Sequence, residues 1–219
     1  MKRFYNFLIL SLIVVPVMAQ SNATKNDPAA TAVLKSVSDK FKTFKTVEAK
    51  FSYKVEDANG KAMSTKTGTV WMKGNQYKVL FAGQEIFSDG TTVWNYDKST
   101  NEVTISTLDE SGSMITPQKL FTNFYDKDFF SVLNGEKKVG TKTLQEIEMT
   151  PTDKGKAFHK VYLMIDKTAK TIYSTKVLEN GGNRYTYTVT DMKTNQPVAD
   201  NVFVFNKAKY PGVGEVDLR

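Results

Sequence analysis

Few residues in this sequence could carry catalytic chemistry. The 219 residues include one histidine, His159, and no cysteine. A thiol nucleophile, a disulfide framework and a multi-histidine metal site are therefore excluded. A Gly-x-Ser-x-Gly nucleophile turn is also absent. The paired carboxylates, Asp109-Glu110 and Asp126/Asp128, lie in polar stretches and suggest no acid–base pair aimed into one cleft. The sequence predicts a protein that is not an enzyme and that uses neither a cofactor nor a metal.

The N-terminus has the pattern of a secretory signal peptide. Lys2 and Arg3 precede an apolar run at 4–17, which is short for a membrane span, and Val17-Met18-Ala19 puts small residues before a cut at Gln20. We expect residues 1–19 to be a signal peptide and 20–219 to be one exported domain. Cleavage lowers the formal net charge from +7, with 30 basic and 23 acidic residues, to 28 − 23 = +5. This mild charge has no dense basic stripe, so nucleic acid is not predicted as a partner.

The elements that would hold any site are read from hydrophobic periodicity. Helical spacing after Asp27-Pro28 predicts a helix over 28–43. A period of two with intervening turn residues predicts strands, and these cover 47–55, 66–73, 76–81, 84–88, 91–97, 102–107, 143–150, 158–166, 170–179, 183–193 and 202–205. Two Phe-rich segments predict short helices at 117–124 and 127–133, and the tail from Tyr210 is expected to be extended.

These elements predict a mainly β fold with one large antiparallel sheet of about 11 strands and three helices. A single sheet of this size curls or closes, so we expect a strongly curved, unclosed barrel with the helices across its mouth. Its aromatic concave face would enclose an apolar cavity. The predicted residues of the cavity and its helical lid are Phe51, Tyr53, Val70, Met72, Tyr77, Val79, Trp94, Tyr96, Leu120, Phe121, Phe124 and Phe129.

Four segments carry a resemblance to a known family. They are Asp27–Ala30 with Val47–Phe51, the Gly-Thr-Val-Trp-Met-Lys run of Gly68–Lys73, the Ser-Asp-Gly-Thr-Thr-Val-Trp run within Phe87–Asp97, and Asn201–Phe205 with Pro211–Val213. In this order they resemble the LolA family of periplasmic lipoprotein carriers. The resemblance implies an eleven-stranded unclosed barrel with a helical lid over a hydrophobic cavity.

The resemblance also implies a task. A monomer would bind the acyl chains of lipoproteins and ferry them across the periplasm from the inner to the outer membrane. The implied partners are acylated lipoproteins, the inner-membrane lipoprotein-releasing ABC transporter complex and, as a further candidate, an outer-membrane receptor.

One departure from the family concerns the lid. Well-studied members have an Arg after the Trp-x-Lys strand, and that Arg holds the empty cavity closed. Gly74 stands at this position here, and Lys73 or Lys78 is a candidate substitute. Other interpretations are a divergent lipid-binding or lipoprotein-sensing protein of the same fold, a secreted lipid hydrolase using His159, and an adhesin or structural β-protein.

Overall fold

The computed structural model describes residues 25–108 and 128–219, which contain one long helix and one large sheet. The expected signal peptide and the expected helix at 117–124 lie outside these ranges. Among the described residues, no helix combines the length and apolar character needed to cross a membrane.

The long helix, α1, spans Pro28–Lys42, as its periodicity predicts. It begins where Asp27 Oδ1 accepts a hydrogen bond from Ala29 N at 2.9 Å, an N-cap that satisfies one otherwise unpartnered donor. It ends at Thr43, whose N–H bonds back to carbonyls of the last turn. Its apolar stripe, including Leu34 and Val37, is buried.

Twelve strands form the sheet, in the spatial order β12-β6-β5-β4-β3-β2-β1-β11-β10-β9-β8-β7. They are β1 (Thr46–Glu56), β2 (Ala62–Lys73), β3 (Gln76–Phe81), β4 (Gln84–Ser88), β5 (Thr92–Asp97), β6 (Glu102–Thr107), β7 (Phe129–Val139), β8 (Lys142–Pro151), β9 (Phe158–Asp166), β10 (Thr171–Glu179), β11 (Arg184–Thr194) and β12 (Gly214–Asp217). Every pairing is antiparallel except that of β12 with β6. The predicted mainly β, unclosed sheet is confirmed.

Two sequence-based assignments are wrong. The expected helix at 127–133 is instead the start of β7, because Phe129 and Ser131 face one side of the sheet and pair with β8. The expected strand at 202–205 overlaps a 3-10 helix, Asp200–Phe203. The described ranges hold one α-helix and two 3-10 helices, the second at Lys207–Lys209.

One face of the sheet, here called the inner face, wraps around α1. Leu34 and Val37 pack on a core from β7–β10 that includes Ile147 and Leu163. Phe41, near the other end of α1, packs on a second core from β1–β3. Six strands separate β3 from β7 in the sheet. A flat sheet could not bring both of these strands against one helix, so the inner face is concave. Bulges such as the register shift at Lys50/Phe51 support this curvature.

The opposite face, here called the outer face, is covered over β3–β6 by residues 200–213, here called the C-terminal segment. Phe205, Tyr210 and Val213 pack against Tyr96 and Val103. The ring centroids of Tyr96 and Tyr210 are 4.5 Å apart, and Tyr210 donates a hydrogen bond to Glu85 at 2.9 Å. The C-terminal segment is therefore part of the fold's core rather than a loose tail.

The edge strand β7 is capped by the residues just before α1. Asn26 Oδ1 accepts a hydrogen bond from Ser131 N at 2.9 Å, and Asp27 N donates to Ser131 O at 2.8 Å. Asp27 Oδ2 also accepts from Leu133 N at 3.1 Å. These bonds occupy backbone groups that an edge strand would otherwise expose to other chains, and they tie α1 to the sheet.

Candidate functional site

Five aromatic side chains form a continuous patch on the inner face, here called the aromatic surface: Phe51, Tyr53, Phe81, Tyr185 and Tyr187. Strand register brings them together. Tyr53 lies opposite Tyr187 on β11, while Phe51 lies opposite Gly68, which lies opposite Phe81 on β3. Because side chains alternate along a strand, all five point to one face.

The rings of the aromatic surface are in mutual contact. The ring centroid of Tyr53 lies 4.8 Å from that of Tyr187, 5.8 Å from that of Tyr185 and 5.5 Å from that of Phe81. The centroids of Phe51 and Phe81 are 5.6 Å apart. Such separations are typical of favourable aromatic pairs. The patch is therefore packed within itself, without needing a covering element to hold it.

The aromatic surface is only partly shielded from water. Tyr187 is 43% exposed, and the other four are half-buried. None of the five belongs to the two cores that pack around α1. Within the described ranges, α1 covers the inner face at β7–β10 and at one end of β1–β3, whereas the aromatic surface lies beyond it. An open aromatic patch of this kind is typical of a binding surface.

The tyrosine hydroxyls stay neutral in this surface. Burial, together with the neighbouring Tyr187, Tyr185 and Glu179, raises the pKa of Tyr53 to about 12. Tyr185 donates a hydrogen bond to Glu179 Oε2 at 2.9 Å, and this bond raises the pKa of Tyr185 too. The rings thus present apolar faces with uncharged polar tips, a character suited to an amphiphile with an apolar body.

Four of the other predicted cavity residues, Val70, Met72, Tyr77 and Val79, lie on the same inner face. Val70, Met72 and Tyr77 are 7%, 3% and 3% exposed and belong to the second core. Val79 packs against that core. Their role in lining a cavity stays a prediction. Because they are already buried in the described structure, they are poor positions for a charged test substitution.

Trp94 and Tyr96 were predicted as cavity residues, but the strand pairing places them on the outer face. Trp94 lies opposite Phe87, and Tyr96 lies opposite Glu85, whereas the inner-face positions of β5 are Val93 and Asn95. Both aromatics pack with the C-terminal segment. Both side chains are at least half-buried, but the prediction assigned them to the wrong face of the sheet. A shift of one residue along a strand exchanges its inward-facing and outward-facing side chains.

The Phe-rich residues of the expected lid divide into two groups. Phe129 is 3% exposed and lies in β7, where it packs in the core under α1 rather than in a lid helix. Leu120, Phe121 and Phe124 lie outside the described residues. Phe81, Tyr185 and Tyr187 are not among the predicted residues, although the Tyr-Thr-Tyr-Thr alternation of β11 is a usable signal for the last two.

Neither lysine proposed as a substitute for the family's Arg lies on the inner face. Lys73 Nζ donates to Asp200 Oδ1 at 2.6 Å and to Val198 O at 3.3 Å. Lys78 Nζ lies 3.3 Å from Glu85 Oε2 and 4.5 Å from the Phe87 ring centroid. Both lysines anchor the C-terminal segment or its neighbours on the outer face, so the suggested substitution is wrong.

His159 is an exposed residue of β9. Across residues 25–108 and 128–219, no three His, Cys, Asp or Glu side chains are grouped so that they could hold a metal ion.

The described chain thus forms a curved antiparallel sheet that wraps one helix and leaves an aromatic patch open. Residues 42–206 match the family described as "Outer membrane lipoprotein carrier protein LolA". The chain belongs to this family, in agreement with its motifs.

Individual relatives agree with this assignment. The chain is 30% identical over 161 residues to an outer-membrane lipoprotein carrier protein of Cupriavidus necator, a match that covers 71% of this chain and 74% of the relative. Among solved structures, an uncharacterized conserved protein from Thermus thermophilus has a TM-score of 0.58 at 14% identity, covering 86% of this chain and 99% of that one. MucB has a TM-score of 0.51 at 16% identity, covering 82% of this chain and 64% of MucB. Both solved structures share the fold of this chain.

Proposed function

We propose that this protein is a periplasmic carrier that binds the acyl chains of lipoproteins on its inner face and ferries them from the inner to the outer membrane. The observation that carries the proposal is the aromatic surface, which is open, apolar and on the concave side of a LolA-family sheet. The relatives' name as outer-membrane lipoprotein carriers supports the cargo class.

The physics of acyl chains explains why a carrier is needed. Transfer from an apolar medium to water costs about 0.8 kcal/mol per CH₂, so one long chain costs on the order of 12 kcal/mol to expose. A lipoprotein with several chains would not cross an aqueous space unaided. Binding to the inner face offers an apolar alternative, and no bond need be made or broken.

The partial exposure of the aromatic surface fits a carrier that must also release its cargo. A fully enclosed site would gain about 25 cal/mol for every Å² of apolar area it shields. A half-open surface shields less, so its affinity stays below that of a membrane or receptor that accepts the whole chain. We expect the donor to be the inner-membrane lipoprotein-releasing ABC transporter complex, and the acceptor to be the outer membrane or a receptor in it. The signal-peptide pattern of residues 1–19 supports export to the periplasm.

Two neighbouring substitutions on opposite faces test the site. Tyr187→Asp puts a charge into the aromatic surface at a position that is 43% exposed, so the fold should tolerate it. Thr186→Asp is the matched control, because it adds the same charge one residue away on the outer face. Thr186 lies there between Lys54 and Lys176. Both lysines already pair with Glu56, so this part of the outer face accommodates a carboxylate.

The measurement is uptake of a fluorescent fatty acid by the mature protein. We expect Tyr187→Asp to weaken uptake at least about tenfold, since a carboxylate is costly beside an acyl chain, and Thr186→Asp to leave it unchanged. Equal uptake by both variants would refute the assigned face. A lipoprotein-transfer assay to acceptor vesicles then separates a carrier from a sensor of the same fold, because a sensor would bind cargo without delivering it.

A further inference from the structure

One polar side chain on the inner face has a buried atom without a hydrogen-bond partner. Within the described ranges, two side-chain polar atoms are sealed from solvent and have no such partner, Asn95 Oδ1 and Thr150 Oγ1. Buried polar atoms in native proteins are almost always partnered, and an unpartnered one costs stability, so each exception calls for an explanation. Thr150 lies on the outer face, opposite Phe130, whereas Asn95 lies on the face assigned to the cargo.

Asn95 lies where the inner face changes from apolar to polar. Its cross-strand partner on β4 is Ile86, which packs against the second core. Its partner on β6 is the half-buried Thr104, and the next inner-face residue of β6 is Ser106. A ligand that lies across this boundary would have apolar contacts on one side and hydrogen-bonding groups on the other.

The boundary is close to the aromatic surface. Asn95 and Ile86 lie in register with Val79, which is two residues from Phe81 on β3. Two strand spacings and a rise of two residues put Asn95 on the order of 12 Å from Phe81. An acyl chain that lies on the aromatic surface can therefore extend so that its head end reaches Asn95.

The polar side of the boundary ends in two acids. Asp97 and Glu102 lie opposite each other on β5 and β6, and each is two residues from Asn95 or Thr104 on the same face. Hydrogen bonds from Ser99 lower the pKa of Asp97, so Asp97 is ionised at neutral pH. The two carboxylates disfavour a phosphate or carboxylate head here and favour a neutral group that donates a hydrogen bond.

We propose that Asn95 Oδ1 accepts a hydrogen bond from an amide N–H at the head end of the bound acyl chain, and that this bond selects N-acylated cargo over ester-linked lipids. The inference rests on the proposed carrier function and names which acylated molecules the inner face prefers. An acyl chain joined to polypeptide through nitrogen carries an N–H beside its carbonyl, whereas an ester-linked lipid has only acceptors at that position. With an ester bound, Asn95 Oδ1 stays unpaired, so the ester binds less tightly.

Three neutral ligands that differ in one group test the proposal on the mature protein. They are the methyl esters of N-lauroylglycine, which has the N–H, of N-lauroylsarcosine, which has N–CH₃ instead, and of O-lauroylglycolic acid, which has an ester oxygen. Isothermal titration calorimetry measures the Kd of each. We expect the parent to bind the glycine ligand about tenfold more tightly than either analogue, since the analogues leave the buried acceptor unpaired.

Substitution of Asn95 should remove this preference. Asn95→Leu deletes the acceptor and keeps the size of the side chain, so it should bind all three ligands with nearly equal Kd values. Thr150→Val is the matched control, because it deletes the other unpartnered atom, on the outer face, and should keep the tenfold preference. Both variants should unfold at a urea concentration no lower than the parent does, since each loses an unpaired buried polar atom. Asn95→Ala, which only removes atoms, gives the same comparison of ligands if Asn95→Leu does not fold.

The outcomes separate this inference from the carrier proposal. Equal binding of the three ligands by the parent, or a preference that survives in Asn95→Leu and Asn95→Ala, would overturn the role of Asn95 and leave the carrier proposal intact. Failure of the parent to bind any of the three would contradict both proposals together. Tyr187→Asp should weaken the binding of all three ligands alike, because it acts on the acyl chain that they share.

Discussion

The ring of Phe51 lies directly over Gly68, its cross-strand partner on β2. A Cβ atom at position 68 would come within 2.4 Å of Phe51 Cζ and 2.8 Å of the carbonyl oxygen of Leu80. Glycine is therefore required for Phe51 to lie flat on the sheet and meet Phe81. This pair fixes one side of the aromatic surface, and the same glycine belongs to the Gly-Thr-Val-Trp-Met-Lys motif of the sequence.

Gly68→Ala should therefore destabilise the protein and disturb the aromatic surface. The clash with Leu80 involves backbone, which cannot simply rotate away, so we expect a loss of about 1–3 kcal/mol in the free energy of unfolding, as for other overpacked sites. Urea denaturation measures the loss. Gly181→Ala is the control, because a Cβ there meets no atom within 4 Å, and a comparable loss in both variants would show that crowding by Phe51 and Leu80 is not the cause.

Phe203 should anchor the C-terminal segment to the outer face. It is fully buried, whereas its neighbour Val204 is 40% exposed. Phe203→Ala should lower the free energy of unfolding by about 3–5 kcal/mol, since it leaves a cavity, and Val204→Ala should change it by less than about 0.5 kcal/mol. Thermal or urea unfolding of both variants checks this contrast. A small effect at Phe203 would mean that the C-terminal segment is not part of the cooperative core.

Asp27 should make stability depend on acid pH. Hydrogen bonds from the backbone N–H groups of Ala29 and Leu133 lower the pKa of Asp27 below 3.8. A lowered folded-state pKa means that the stabilisation is complete above the unfolded value and is lost as the pH falls through the folded one. Asp27→Asn should therefore melt at a lower temperature than the parent at pH 6, with the difference in Tm shrinking below pH 3.8. A difference that persists unchanged in acid would assign the effect to packing instead.

Tyr53 should ionise at a higher pH than an ordinary tyrosine. Burial and the neighbours Tyr187, Tyr185 and Glu179 raise its pKa to about 12, from 10. The neutral phenol then stabilises the fold fully below pH 10, and this contribution disappears as the pH rises through 12. Tyrosinate absorbance in an alkaline titration should show this late step, and Tyr53→Phe should lower its amplitude, while Tyr210, whose pKa burial and Glu85 also raise, still ionises late. If Tyr53→Phe instead removes absorbance only near pH 10, Tyr53 is not held in an apolar setting.

Much of the fold is readable from the sequence because its periodicities are clear. The helix over 28–43 and the strands 76–81, 84–88, 102–107 and 158–166 match the structure within one residue. Their apolar residues recur at 3.6 or 2 positions, and turn residues separate them. Local patterns of this kind predict helices and strands without knowledge of the tertiary contacts.

Local periodicity fails where both faces of a strand are apolar or where a partner is distant. In β7, Phe129 and Phe130 are adjacent and point to opposite faces, so the segment resembles a short apolar helix until its pairing with β8 is known. Strand β12 depends on a parallel pairing with β6, more than one hundred residues earlier in the chain. No local sequence pattern predicts that pairing.

The candidate site was predicted in part. The alternation in β1 identified Phe51 and Tyr53, but the face of β5 could not be carried across three turns from β2, and Trp94 was placed on the wrong side. Phe81 and Tyr187 join the surface only through the register of β3 and β11 with their neighbours. Register is a tertiary property, so a residue list drawn from separate strands misses such members.

Native mass spectrometry of the protein, expressed with its own signal peptide and purified without detergent, tests the central claim most directly. The account predicts that a fraction of the mature protein carries acylated lipoprotein or lipid, that Thr186→Asp retains this fraction, and that Tyr187→Asp loses it. Protein that never carries acylated cargo and takes up no acyl chain afterwards would contradict the carrier proposal.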